Sequence, residues 1–218
     1  NSYTSTAISQ GTLALSSTGV LPGDIILNSG TLAGWDQNFT VANNMQLIQT
    51  SAIDVGAATT LTAAGIISGD FTSVGAQTGL NKTGLGMLVL SNFNTYLGTT
   101  TITAGILSIS SDANLGNVGG LNVLPGAIAM NGGQLLITDN ITTNRVITMS
   151  AAGSINVAAG KTFTVNGITA NSAGLLTING PGIVILNGNQ TGGNAHDNTA
   201  ISNGGTLMTQ NTQGTPFG

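Results

Sequence analysis

The chain has 218 residues, including 33 Gly, 32 Thr and 24 Asn, with 5% charged residues and a formal net charge of −4. Low charge combined with a mean hydropathy of +0.31 excludes a disordered chain, which has the opposite composition. The absence of Cys excludes a disulfide scaffold and a thiolate metal site, and three cations on an acidic chain exclude nucleic acid as a plausible partner.

Short β-strands are predicted along the whole sequence. Thr, Val and Ile are stiff at χ1 and favour strands, whereas Glu is absent and other helix-forming surface residues are rare. In chain order the predicted strands include residues 11–15, 24–27, 46–49, 100–103, 107–110 and 162–165. Asn-Gly, Gly-Gly and Pro-Gly pairs between them supply turns. No apolar run approaches the ~18 residues of a membrane helix, so we expect no membrane insertion by this segment.

An internal repeat is the strongest signal in the sequence. Residues 84–91 return as 180–187, an offset of 96 positions, and the opening residues 1–13 are echoed at 94–107 and again near 201–207. The repeat unit is therefore about one hundred residues long. The sequence predicts a single continuous domain over 1–218, built from about two units and cut within the unit at both ends.

A unit of this length with several short strands indicates coils of a solenoid rather than a propeller blade. Stacked coils place each inward Leu, Ile or Val over another, while backbone groups pair along the axis. Outward Thr and Asn can form polar ladders. Repeated like charges would lie ~5 Å apart in such ladders and repel, which explains the low charge.

One stretch resembles the autotransporter-associated β-strand repeat found in passenger regions of bacterial secreted and surface proteins. The residues that carry the resemblance are Gly84, Gly86, Leu88, Leu90, Ser91, Asn94, Thr95, Tyr96, Gly98, Thr100, Ile102, Ala104, Gly105 and Leu107. The resemblance implies a right-handed parallel β-helix and an exported protein. Family-like coils of about 20–25 residues would give roughly nine to eleven coils and a rod ~45–50 Å long.

Candidate catalytic residues are few. β-Helices also host polysaccharide-degrading enzymes, which need clustered carboxylates. Stacking could bring Asp112 near Asp139, or Asp36 near Asp54, but a turn-capping role is expected for each Asp. The sole histidine, His196, lies beside Asp197 in a Gly-rich loop with no Glu or Cys to complete a site. We therefore expect no catalytic residue, no metal site and no cofactor.

Two sets of residues are candidates for binding. Lys82, Lys161 and Arg145 are too few to line a groove for an acidic ligand, and solvated turns are their expected place. Trp35 is unique to its copy of the repeat and is the single candidate for a ligand contact, although a role in core or end packing is the alternative. Tyr3 and Tyr96 recur at equivalent positions, which favours a structural role.

The leading interpretation is a non-enzymatic extracellular structural protein, a β-solenoid module of a bacterial surface fibre, filament or matrix. Neither end shows a capping element, so the ends either stack head to tail between copies or continue into a longer passenger. The residues expected to stack are Ile8, Leu13 and Leu15 at one end and Ile201 and Leu207 at the other. The alternative is an adhesin or passenger segment that binds glycans or host surfaces, with Trp35 as the candidate contact residue. A polysaccharide-degrading β-helix enzyme is a remote third interpretation.

Overall fold

The chain folds as a parallel β-solenoid of about eight turns, so the predicted all-β solenoid is confirmed. The computed structural model describes residues 5–16, 21–70, 78–116, 126–167, 169–171, 174–187 and 199–209. Within these ranges the chain forms 22 strands and one short 3₁₀ helix at Asp112–Leu115. No helix in the described ranges is long and apolar enough to cross a membrane.

The strands are short and follow one another closely. In chain order they are β1 Ser5–Leu15, β2 Asp24–Gly34, β3 Phe39–Val41, β4 Met45–Leu47, β5 Ser51–Val55, β6 Thr60–Ala63, β7 Ile67–Gly69, β8 Leu80–Thr83, β9 Met87–Leu90, β10 Thr100–Ile102, β11 Ile106–Ile109, β12 Ile128–Met130, β13 Gln134–Ile137, β14 Ile141–Thr143, β15 Ile147–Met149, β16 Gly153–Val157, β17 Thr162–Val165, β18 Thr169–Asn171, β19 Leu176–Asn179, β20 Ile183–Leu186, β21 Thr199–Ile201 and β22 Thr206–Thr209.

These strands form three sheets along the axis of the solenoid. The first sheet has ten strands, the second has eight and the third has four. In the second sheet the order is β3, β6, β9, β11, β13, β16, β19 and β21, so that each strand pairs with the strand one turn later. All of the strand pairs are parallel, with backbone hydrogen bonds directed along the axis.

The strand β2 belongs to two faces of the solenoid because it bends at Ser29, whose φ is +57°. Before the bend, Ile25 pairs with Met45 of β4; after it, Thr31 pairs with Ala52 of β5. The strand β1 bends in the same way at Gln10, where φ is +58°, and pairs with β2 on both sides of the bend. From β4 onward, separate short strands take over the two faces.

The core consists of columns of apolar side chains that repeat once per turn. One column of the second sheet is fully buried and contains Leu61, Leu88, Leu107, Leu135, Ile155 and Ile178. Burying each such side chain stabilises the fold by about 1.5–3 kcal/mol relative to exposure. Polar ladders form as expected: Asn166 donates to the Asn144 side chain at 3.2 Å, and Asn187 donates to Asn166 at 3.1 Å.

The number of turns is lower than the nine to eleven expected, because two turns are longer than the assumed coil. Ser51 pairs with Leu80, 29 positions later, and Thr100 pairs with Ile128, 28 positions later. Elsewhere the spacing is shorter, as between Leu80 and Thr100, 20 positions apart. Eight turns at ~4.8 Å give a stack about 38 Å long instead of 45–50 Å.

The repeated sequence motif does not stay on one face of the solenoid. Its copy at residues 84–91 forms β9 of the second sheet, whereas the copy at 180–187 forms β20 of the third sheet. Both strands follow a corner glycine with positive φ, +72° at Gly84 and +84° at Gly180. A side chain on Gly84 would clash with the Val55 carbonyl oxygen of the preceding turn. The motif therefore encodes a tight corner followed by a strand, on whichever face that corner lies.

Candidate functional site

Trp35 lies at the corner that follows β2, with 51% of its surface exposed. Its indole Nε1 donates a hydrogen bond of 2.6 Å to Asp54 Oδ1. The other carboxylate oxygen of Asp54 accepts from Thr83 Oγ1 at 2.8 Å. The indole is thus fixed by a chain of contacts across three successive turns, while about half of the Trp35 surface stays open to solvent. A fixed, exposed indole can stack on an apolar face of a ligand.

The position of Asp54 follows from strand register and not from a turn. Asp54 lies in β5, where it pairs with Ala33 of the previous turn and Thr83 of the next. Along β5 buried and half-buried residues alternate, and Asp54 is on the half-buried side. The expectation that each Asp caps a turn is wrong for this residue. Its carboxylate instead orients Trp35, the predicted contact residue.

Two other described carboxylates, those of Asp112 and Asp139, each pair with a basic residue. Asp112 binds Arg145, with 2.9 Å from Asp112 Oδ1 to Arg145 Nε. Asp139 binds Lys161, with 2.7 Å from Asp139 Oδ1 to Lys161 Nζ. Among the described residues no group of three or more His, Asp or Glu side chains could hold a metal ion. His196 and Asp197 lie outside the described residues.

Two of the three basic residues are buried, so the expectation that they occupy solvated turns is wrong. Lys82 and Arg145 have 0% and 1% exposure, whereas the Lys161 side chain is 36% exposed. Lys82 is in β8, in line with Ile53 and Ile102 of the adjacent turns. Its Nζ donates to the backbone carbonyl groups of Thr83, at 2.6 Å, and Gly84, at 2.7 Å. Burial lowers the pKa of Lys82 to about 8, although the charge of Asp54 opposes the shift.

The polar residues of the resemblance motif connect turns and do not form an open site. Asn94 Oδ1 accepts from the Ile67 backbone N–H at 2.7 Å, and Asn94 Nδ2 donates to the Asn114 carbonyl at 2.6 Å. Tyr96 is fully buried, with its hydroxyl 2.7 Å from Thr100 Oγ1, and burial raises the pKa of Tyr96 to about 12. The structural role expected for Tyr96 is confirmed; Tyr3 lies outside the described residues.

All five residues predicted to stack lie in the interior columns of the first or last described turns. At one end, Ile8 and Leu15 are each 7% exposed and Leu13 is half-buried. At the other end, Leu207 is half-buried, whereas Ile201 is 55% exposed. Ile201 continues the column of Ile178. The column of apolar side chains therefore ends, in the described residues, at an exposed isoleucine.

Sequence reasoning missed several exposed apolar residues at other corners. Leu85 is 72% exposed, Phe93 71% and Ile66 41%. Leu85 and Phe93 flank β9, whose sequence Met-Leu-Val-Leu is apolar at every position. A half-buried strand usually alternates apolar and polar residues. This unbroken run was therefore the signal that could have revealed an apolar outer surface.

Comparison with known proteins agrees with these features. Residues 80–109 match the passenger-associated-transport-repeat. That segment contains strands β8 to β11, with the corners and the Asn94 and Tyr96 contacts between them. The matched segment is 30 of the 218 residues and is similar to a passenger repeat. The resemblance to autotransporter passengers predicted from the sequence is thus confirmed.

A curated relative is similar over part of the chain. The adhesin BmaC autotransporter of Brucella suis biovar 1 (strain 1330) is 40% identical over 117 residues, which is 54% of this chain. The chain spans about 3% of the length of that relative. No solved structure matches the chain.

Proposed function

We propose that this chain is a rigid, non-enzymatic segment of the passenger of a bacterial surface adhesin, exposed outside the cell. The passenger repeat at 80–109 and the similarity to an autotransporter adhesin support this proposal. The physical basis of rigidity is the stack of parallel strands, in which apolar columns and axial hydrogen bonds join each turn to the next. The role of the segment is to extend and display, and it carries out no chemistry.

The observation that carries an adhesive role is the exposed Trp35 held by Asp54. An exposed aromatic ring held in one orientation suits a glycan, because the ring packs on the apolar face of a sugar. In this proposal Trp35 is the contact residue and Asp54 is its positioning residue.

Beads coated with residues 1–218 and applied to a glycan array test this proposal. We expect binding that is lost in Trp35→Ala and weakened in Asp54→Asn, which removes the carboxylate charge that holds the indole. Phe93→Ala is the matched control, because Phe93 is also a highly exposed aromatic residue but lies at a different corner. Equal binding by the Trp35→Ala variant would remove the tryptophan site, and absence of binding by the unaltered chain would contradict the glycan-adhesive role.

A second candidate function is end-to-end assembly into a filament, as the sequence predicts. The exposed Ile201 in an otherwise buried column favours it. That column can be continued either by a second copy or by further turns of a longer polypeptide. Electron microscopy of residues 1–218 distinguishes the two: long unbranched filaments, lost in Ile201→Asp, support assembly, whereas single rods about 38 Å long contradict it.

A further inference from the structure

Five Asn-Gly pairs occur in the sequence, and they differ in how the fold holds them. An asparagine before a glycine is chemically labile, because the backbone nitrogen of the glycine has no Cβ beside it to shield it from the side-chain amide. The five asparagines are Asn131, Asn166, Asn179, Asn187 and Asn203. The glycine after the fourth, Gly188, lies outside the described residues. Sequence alone does not rank the five, since every pair has the same two residues.

Asn131 is exposed and follows β12 at the corner that leads into β13. Its N–H donates to the Ile102 carbonyl at 2.9 Å, and the Gly133 N–H donates to the same carbonyl at 3.3 Å. Between these two anchors, the Gly132 N–H and the Asn131 side-chain amide have no hydrogen-bond partner among the described residues. The amide can therefore rotate toward the Gly132 nitrogen without breaking a hydrogen bond of the described structure.

Solvent reaches this corner. Asn131 and Gly132 are both exposed. Gly132 also lines an open groove of about 510 Å³ that runs past the corners of the neighbouring turns. The hydrolysis that completes deamidation consumes water, and here water has direct access to both residues of the pair.

A ladder of side-chain amides holds Asn166 and Asn187. Asn166 Nδ2 donates to Asn144 Oδ1 at 3.2 Å, and Asn166 Oδ1 accepts from Asn187 Nδ2 at 3.1 Å. The Asn166 amide must give up these bonds to turn toward the nitrogen of Gly167. Asn187 is held through the same ladder, and its Oδ1 is buried. Reaction at either residue therefore costs contacts between turns.

Asn179 and Asn203 hold each other. Asn203 Nδ2 donates to Asn179 Oδ1 at 2.9 Å, and the same oxygen accepts from the Gly180 N–H at 2.8 Å. The nitrogen that would attack Asn179 is thus already a donor, with its hydrogen directed at the amide oxygen. Asn203 is exposed, but its amide nitrogen is tied to the preceding turn. Both residues lose a hydrogen bond on reaction, whereas Asn131 loses none.

We infer that Asn131 is the residue at which the folded chain deamidates first, and that amide bonds between turns protect the other Asn-Gly pairs. The Gly132 nitrogen forms a bond to Asn131 Cγ, the bond from Cγ to Nδ2 breaks, and ammonia leaves with the proton of the Gly132 N–H. Water then opens the five-membered succinimide at either carbonyl group, which gives aspartate or isoaspartate at position 131. No oxidant or reductant takes part. The inference goes beyond the proposed display role, because it concerns a covalent change of the segment itself.

Both products change the corner between β12 and β13. Each adds a negative charge to a chain whose formal net charge is −4. Isoaspartate also adds a carbon atom to the backbone, at a corner so closely packed that a Cβ on Gly133 would clash with the Ile102 side chain. Isoaspartate is therefore the product expected to strain the corner.

Peptide mapping by tandem mass spectrometry tests the inference. The folded chain of residues 1–218 is kept in mildly alkaline buffer, and samples taken over time are digested with pepsin. A deamidated peptide gains one mass unit, and its aspartyl and isoaspartyl forms separate by chromatography. We expect Asn131 to react roughly ten-fold faster than Asn166 or Asn179, a difference of about 1.4 kcal/mol in activation free energy. Equal rates, or a faster reaction at one of the other asparagines, would overturn the inference.

The unfolded chain is the control that separates the fold from local sequence. In concentrated urea we expect all five asparagines to react at similar rates, because a glycine follows each of them. If Asn131 kept the same lead in urea, the hydrogen bonds of the fold would play no part in the selection, and the inference would be wrong.

Two variants test the two parts of the inference separately. Asn131→Gln requires a larger ring for the same reaction, so the first acidic species on isoelectric focusing should disappear. Gly132 is left in place, because its φ of +114° disfavours other residues. Asn144→Ala, at an exposed position, frees Asn166 Nδ2 and should speed reaction at Asn166 several-fold while Asn131 keeps its rate.

Contrary results with these variants are equally clear. An acidic species that forms at an unchanged rate in Asn131→Gln would overturn the assignment to Asn131. An unchanged rate at Asn166 in Asn144→Ala would overturn the protective role of the amide ladder.

Discussion

The two buried cations show different ways of placing a positive charge inside a β-solenoid. Lys82 donates to three backbone carbonyl groups at the corner and has no carboxylate bonded to its Nζ in the described structure. Arg145 pairs with Asp112 through Nε, and its two terminal nitrogens donate to the carbonyl groups of Asp112, Gly116 and Gly126. Lys82 lies in a column with Ile53 and Ile102, and Arg145 lies at the corner between β14 and β15.

The difference follows from the chemistry of the two side chains. An ammonium group can give up its proton, and burial accordingly lowers the pKa of Lys82 to about 8. A guanidinium group stays charged at any accessible pH, so its burial requires a carboxylate and several acceptors. The Arg145 fork also joins Gly116 and Gly126, the residues on either side of segment 117–125. Arg145 is thus a fixed structural charge, and Lys82 is a titratable one.

Removing Arg145 is expected to have the largest effect. Arg145→Met would leave the Asp112 carboxylate and three carbonyl groups without their donor, and breaking a buried pair in this way costs about 3–5 kcal/mol. Urea unfolding followed by circular dichroism measures the loss. Arg145→Lys is the matched variant, and we expect it to recover only part of the loss because an ammonium group cannot reach all of the acceptors. A loss below about 1 kcal/mol in Arg145→Met would contradict this role.

Lys82 is expected to reveal itself through pH. Its folded pKa, about 8, lies below the ordinary value of 10.5, so the unfolded chain binds more protons between these values. The free energy of unfolding should therefore rise as the pH rises from 8 to 10.5. Below pH 8, Lys82 is protonated in the folded and the unfolded chain, and this added stability is absent. Relative to Lys82→Met, which does not titrate, the unaltered chain should gain up to about 3 kcal/mol between pH 8 and pH 10.5. A difference that is flat with pH would show that the Lys82 pKa is not lowered.

The exposed pair of Asp139 and Lys161 is expected to contribute least. A hydrogen bond from Lys161 holds the pKa of Asp139 in the folded chain below its usual value. Any stabilisation by the pair is therefore present at a pH above the usual pKa of Asp and is lost as the pH falls through the lowered pKa of the folded chain. Because the pair is open to solvent, Asp139→Asn should leave the melting temperature unchanged within experimental scatter, at low and at high salt. A clear destabilisation that salt removes would show that the exposed pair matters after all.

Much of the fold could be predicted because its signals are local. Strands such as Thr162–Val165 alternate apolar and polar residues, and Gly corners separate them. The partners of Arg145 were out of reach, because Asp112 lies 33 positions earlier across a longer turn. Lys82 was misplaced for a different reason. Its position two residues after Leu80 put it on the inward side, but composition alone favoured a solvated turn.

At the Trp35 corner the sequence predicts the contact residue but not its hydrogen-bond partner. Trp35 stands out in the sequence as a singular aromatic residue, whereas the sequence predicts a turn-capping role for its partner Asp54. A coil spacing near 20 residues would have aligned the two, since they lie 19 positions apart. The exposed apolar residues around β9 could also have been expected from the unbroken apolar sequence of that strand. What the sequence pattern could not supply was the rotation between the motif copies, because the number of residues per turn varies, from 20 between Leu80 and Thr100 to 28 between Thr100 and Ile128.

That rotation has a consequence for how such a protein can grow. The copies of the motif at 84–91 and 180–187 lie on different sheets, so one unit does not equal a whole number of turns. Gene duplication can therefore lengthen the rod even when the duplicated unit is not a whole number of turns. Each corner glycine then starts a strand on whichever face comes next. The two copies in this chain point their outer residues in different directions, because their strands lie in different sheets. Growth by duplication then increases the reach of the rod and spreads its contact surfaces around the circumference.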